Sequence, residues 1–73
     1  MKIFVYKVGA FEYRDTVAFG NAWQKAKAKA TDLHLAIYRE VILDGDIVRN
    51  QVYLTAGAFI GVGYATADAI KIW

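Results

Sequence analysis

The sequence predicts an α+β domain: an antiparallel β-sheet of three to five strands with one α-helix packed on one face, in the order β-α-β-β-β. Three observations carry this. Lys2 to Val8 is a near-continuous run of β-branched and aromatic residues, the pattern of a strand buried on both faces. From Phe19 to Leu33 apolar residues recur at helical spacing. Asp44-Gly45 separates two further strand-like runs, and Asp-Gly between such runs is the strongest short-range hairpin signal.

The first strand ends at Gly9-Ala10, a pair suited to a type II′ turn, so Phe11-Glu12-Tyr13-Arg14 can fold back as a short second strand. Asp15 or Thr16 can then cap a helix by accepting hydrogen bonds from its first amides. Counted from Val17 at about 100° per residue, Phe19, Ala22, Trp23, Ala26, Ala30 and Leu33 fall within one apolar arc. Gly20 costs such a helix about 1 kcal/mol relative to alanine, which points to close packing or to a helix end. The alternating Gln24-Lys25-Ala26-Lys27-Ala28-Lys29-Ala30 reads as helix, because these are strong helix formers and poor strand formers. Its lysines flank the apolar stripe, with their stems covering its edges. The helix should stop between Asp32 and His34.

Leu35–Leu43 and Asp46–Leu54 form the predicted hairpin. A two-residue loop pairs Leu43 with Asp46, Ile42 with Ile47, Val41 with Val48, Glu40 with Arg49 and Ile37 with Val52. Leu35, Ile37, Val41, Val48, Val52 and Leu54 then share the face turned to the helix. Tyr38, Glu40, Ile42, Ile47, Arg49, Gln51 and Tyr53 occupy the other. Arg39 and Asn50 interrupt the apolar face, and a bulge would move them. Beyond Leu54, Ala56–Gly63 reads as a turn and a hairpin-connected strand, Thr66–Ala69 as one helical turn, and Ile70–Trp73 as a last short strand.

At 73 residues the chain is expected to form one domain, 1–73, near the lower size limit for a self-sufficient core. It has no cysteine to staple it, so its 58% hydrophobic residues must supply the cohesion. A short chain this apolar is expected to self-associate. The net charge of +2 is small for a nucleic-acid module. No signal peptide is expected, because Met1-Lys2 leads directly into a short apolar run. Asn50, Gln51, Thr55, Thr66 and three glycines dilute the uncharged window from Asn50 to Ala67 too far for a membrane span.

Catalytic material is sparse. The chain lacks serine and cysteine, and its one histidine, His34, sits at the predicted helix end, where the dipole favours it. Asp44-Gly45-Asp46 lacks the alternating ligands and the distal glutamate of a calcium loop. Gly57 and Gly61 satisfy GxxxG outside a lipid-embedded helix, and Gly61-Val62-Gly63 lacks the third glycine of a dinucleotide motif. No enzyme activity, cofactor or metal is therefore expected. The candidate interaction surface is Tyr38, Glu40, Arg49, Gln51 and Tyr53, aromatic and charged groups suited to a protein interface.

The stretches FEYRDTVAFGNAWQKAKAKA and IYREVILDGDIVRNQVYL resemble small uncharacterised proteins encoded in phages and prophages of Gram-positive bacteria. The resemblance implies a compact accessory protein acting inside a bacterial host, and it carries no catalytic residues over to this chain. The expected function is a non-enzymatic cytoplasmic interaction or assembly protein, homodimeric or bound to a protein partner through the open sheet face or strand edges. The alternative is a nucleic-acid-binding module using Lys25, Lys27, Lys29, Arg39 and Arg49, whose affinity would fall steeply with salt.

Overall fold

The computed structural model describes residues 1–55 and 70–72. It has the predicted α+β class, with β1 (Lys2–Val8), β2 (Phe11–Asp15), α1 (Asn21–Leu33), β3 (Ile37–Leu43), β4 (Asp46–Leu54) and β5 (Ile70–Lys71). The order therefore begins β-β-α, not β-α, because Phe11–Asp15 is a full antiparallel partner of β1. Across the sheet the strands run β2-β1-β3-β4-β5. Both β2 and β3 are antiparallel to β1, so α1 carries the chain across β1 from one side to the other. β5 is parallel to β4, paired at Tyr53 and Leu54; a tight hairpin cannot make that connection. The strand expected within Ala56–Gly63 and the helical turn expected at Thr66–Ala69 lie outside the described residues.

Local chemistry accounts for the turns. Val8 pairs with Phe11 across Gly9-Ala10, and of the two central residues only Gly9 has positive φ, the type II′ signature. At Asp44-Gly45 both central residues have positive φ, 51° and 88°, as a type I′ turn requires. The Met1 ammonium lies 2.8 Å from Asp44 Oδ1 and ties the start of β1 to this second turn.

The helix begins four residues later than the apolar arc predicted. Gly20 is its N-cap and forms no side-chain cap bond. Asp15 acts instead, from the end of β2: its Oδ2 accepts from the Ala22 amide and its Oδ1 from the Val17 amide, both at 3.2 Å. These amides hold its carboxyl below the usual carboxylate range. A Cβ on Gly20 would lie 3.0 Å from Asp15 Oδ2, so this helix end is also a place of close packing. The C-terminus closes as a Schellman motif. His34 takes the left-handed position, φ 56°, while Leu35 N–H donates to Ala30 O at 3.0 Å.

Small residues let α1 lie close to the sheet. Ala22, Ala26 and Ala30 are buried with Trp23 against Phe4, Tyr6, Val8 and Ile37. Trp23 is the hub, with its ring 5.5 Å from Tyr6 and 4.9 Å from Tyr53. Phe19 belongs to the loop before the helix, yet it meets Trp23 edge-on at 5.2 Å and so keeps the anchoring contact expected of it. The lysines flank the stripe as predicted: Lys27 Nζ lies 5.6 Å from the Trp23 ring and Lys29 Nζ 4.4 Å from the Phe11 ring.

The second hairpin departs from its predicted register after one step. Leu43 faces Asp46 and Ile42 faces Ile47, but then Val41 faces Arg49, Glu40 faces Asn50, and Ile37 faces Tyr53. Val48 is the extra residue of a β-bulge. Everything beyond it moves by one position, and with a side-chain period of two that exchanges the faces.

Candidate functional site

The bulge redistributes the predicted surface. Tyr38 and Glu40 remain on the sheet face away from α1, whereas Arg49, Gln51 and Tyr53 pair with Val41, Arg39 and Ile37 on the helix face. The expected single patch is thus two patches on opposite sides of the sheet. Tyr53 is buried in the core beside Trp23, not exposed. Val52 leaves the face assigned to the helix, Val48 is the unpaired and half-exposed residue of the bulge, and Asn50 leaves the apolar alternation it would have broken.

On the outer face the charge partners also differ. Glu40 faces Asn50, and its Oε1 accepts Lys7 Nζ of β1 at 3.0 Å. This hydrogen bond pushes Lys7 above the ordinary lysine value. Asn50 Nδ2 donates to the Tyr38 hydroxyl at 2.7 Å. Towards the β3–β4 turn the same face becomes apolar. Ile3, Ile42 and Ile47 stand side by side across β1, β3 and β4. Around them, Ile47 and Val48 are each 55% exposed and Met1 79%, whereas Leu43, paired with Lys2 and Asp46, alternates to the helix face. Sequence alternation placed Ile47 correctly but buried Val48, because a bulge leaves no mark in the hydrophobic pattern.

The helix face holds the second arrangement. Tyr13, Tyr6, Arg39 and Gln51 form one row across β2, β1, β3 and β4. Arg39 keeps only 8% of its surface exposed. Its guanidinium carbon lies 5.3 Å from the Phe19 ring, 5.4 Å from Tyr53 and 5.7 Å from Phe4, within cation–π range of all three. Arg39 Nε and the Tyr6 hydroxyl lie next to each other without a well-aligned hydrogen bond to any group. Burial pushes the Tyr6 hydroxyl above the ordinary tyrosine value, against the lowering influence of hydrogen bonding with Arg39 and of the Arg39 charge.

Of the predicted nucleic-acid residues, Lys27 and Lys29 cover rings on different flanks of α1, and Lys25 shares a shallow surface depression with Tyr13, Lys29 and Asp32. They do not converge with Arg39. Among the described residues no group of His, Asp and Glu is placed to hold a metal ion, and no helix is long and apolar enough to cross a membrane. Comparison with protein families, with curated proteins and with solved structures finds no match to this chain.

Proposed function

We propose that this protein is a non-enzymatic interaction module of the cytoplasm that self-associates through the apolar end of its outer sheet face. The observation that carries the reading is the exposure of Ile47 and Val48 together, with Met1 and with Ile3 and Ile42 beside Ile47 on the outer face. Contiguous exposed apolar surface on a small protein favours an association site. A two-fold contact of this patch with its own copy is self-complementary, and the charges beside it, the Met1 ammonium and Asp44, are already paired with each other.

The bulge narrows how the contact forms. Edge strands pair with other chains through a flat backbone ladder, and a bulge twists the edge away from such pairing. Side chains of the face, not the backbone of β4, are therefore the contacting groups. Met1, Ile47, Val48 and the remaining exposed surface of Ile3 and Ile42 yield on the order of 8 kcal/mol over the two copies, at about 1 kcal/mol per side chain or less, against an association cost of roughly 4–15 kcal/mol. The expected dimer is weak, with a Kd on the order of millimolar.

Light scattering across a concentration series from micromolar to millimolar tests this. The mass should rise from one chain to two, and the pair Ile47→Lys and Val48→Lys should hold the folded protein at one chain. A wild type that stays monomeric throughout overturns the proposal. Nucleic-acid binding receives less support, since the lysines are spread over ring surfaces on separate flanks of α1.

A further inference from the structure

We propose that Arg39 is the floor of a binding site for a small oxyanion, the carboxylate or phosphate of an organic anion, on the helix face of the sheet. A guanidinium this deeply buried costs several kcal/mol to desolvate unless something compensates its charge. Here the compensation is partial. The rings of Phe4, Phe19 and Tyr53 supply cation–π attraction, but among the described residues no carboxylate pairs with Arg39. The carboxylate on the same face next to Phe4, Asp15, is engaged by two backbone amides.

The chemistry of the unsatisfied atoms selects the ligand. Guanidinium has donors only, so Arg39 Nε–H needs an acceptor. The adjacent Tyr6 hydroxyl can accept a hydrogen bond, but its own proton also lacks one. Even with the Tyr6 hydroxyl turned to accept from Arg39, its own proton and the guanidinium charge remain without an acceptor; an acceptor-rich group answers both, and carboxylate and phosphate match the planar guanidinium fork. Arg49 stands on the same face in the next row, opposite Val41, and adds positive potential without filling the site. Phe19 provides access. It is 55% exposed and sits in the loop between β2 and α1, so it can swing aside without opening the sheet and can stack on a ring attached to the anion. This site is separate from the apolar patch on the outer face.

The test uses inorganic phosphate and benzoate against chloride at equal ionic strength. The Arg39 Nε–Hε resonance should move saturably with at least one of the two oxyanions, with a Kd in the millimolar range or tighter, and not with chloride. Tighter binding of benzoate identifies carboxylate as the group recognised, and tighter binding of phosphate identifies phosphate. At a hundredfold excess over Kd the Tm should rise by roughly 10–20 °C. Arg39→Met keeps an unbranched apolar stem about as far as Nε but removes the guanidinium and its charge. It should melt at or above the wild-type temperature in chloride and show no oxyanion-dependent rise. An Arg39 resonance that does not respond to either oxyanion, or an equal Tm rise in Arg39→Met, overturns the proposal.

Discussion

The two hairpins of this protein are built from the same parts and end differently. In the first, β1 and β2 pair without interruption from Val8–Phe11 to Phe4–Asp15, and α1 lies across both strands. In the second, β3 and β4 lose register at Val48, and the first five residues of β4 are exposed. The difference teaches that coverage by the helix demands a strict register. Phe4, Tyr6 and Val8, the inward residues of β1, share one core with Ala22, Trp23, Ala26 and Ala30. Where no helix sits, a bulge is tolerated, and Ile47 and Val48 reach solvent with no element among the described residues packed over them.

Removing the link between the two hairpins should have the largest effect. Trp23 alone on α1 joins Tyr6 of the first hairpin to Tyr53 of the second, so Trp23→Ala should cost about 3–5 kcal/mol in urea-induced unfolding. The turns sharpen the contrast at intermediate size. Gly9→Ala places a Cβ 3.0 Å from Leu35 Cδ1 at φ +56°, whereas Gly45→Ala, at φ +88°, meets nothing within 4 Å. Both incur backbone strain of roughly 1 kcal/mol; only Gly9→Ala adds a steric clash, and it should lower the urea midpoint further.

Asp15 joins the end of β2 to the start of α1, and its contribution depends on pH. Its folded pKa is depressed by the Ala22 and Val17 amides, so the stabilisation is fully present above the ordinary carboxylate pKa of about 3.9 and is lost as pH falls through the folded value. Asp15→Asn should therefore lower the urea midpoint at pH 7, and the gap to wild type should narrow at pH 3. The smallest effect should come from deleting Val48. The pairs on either side, Ile42–Ile47 and Val41–Arg49, already face as a regular ladder would require, so stability should change by less than about 1 kcal/mol. Deleting Val5 from β1 should by contrast abolish folding, because it inverts a strand packed on both sides.

Much of this was legible in the residues. Gly9-Ala10 and Asp44-Gly45 specify their turns because few residues accept positive φ. The spacing of Ala22, Trp23, Ala26 and Ala30 specifies which side of α1 meets the sheet. The start of the helix was misread because Asp15 caps it from seven residues before Ala22, a distance that no local cap pattern covers. The candidate site was misread for one reason, the bulge at Val48, which sent Arg49, Gln51 and Tyr53 to the helix face and left Tyr38 and Glu40 behind.

The sequence by itself determined the class of fold, the two tight turns, the buried central strand and the packed stripe of the helix, because each follows from steric preference or periodicity within a few residues. Only the tertiary structure decided which side chains share a face beyond Val48, that Lys7 and not Arg49 pairs with Glu40, and that Arg39 ends among three aromatic rings. Those outcomes depend on register between strands distant in the chain. A single unpaired residue shifts that register without altering any local preference.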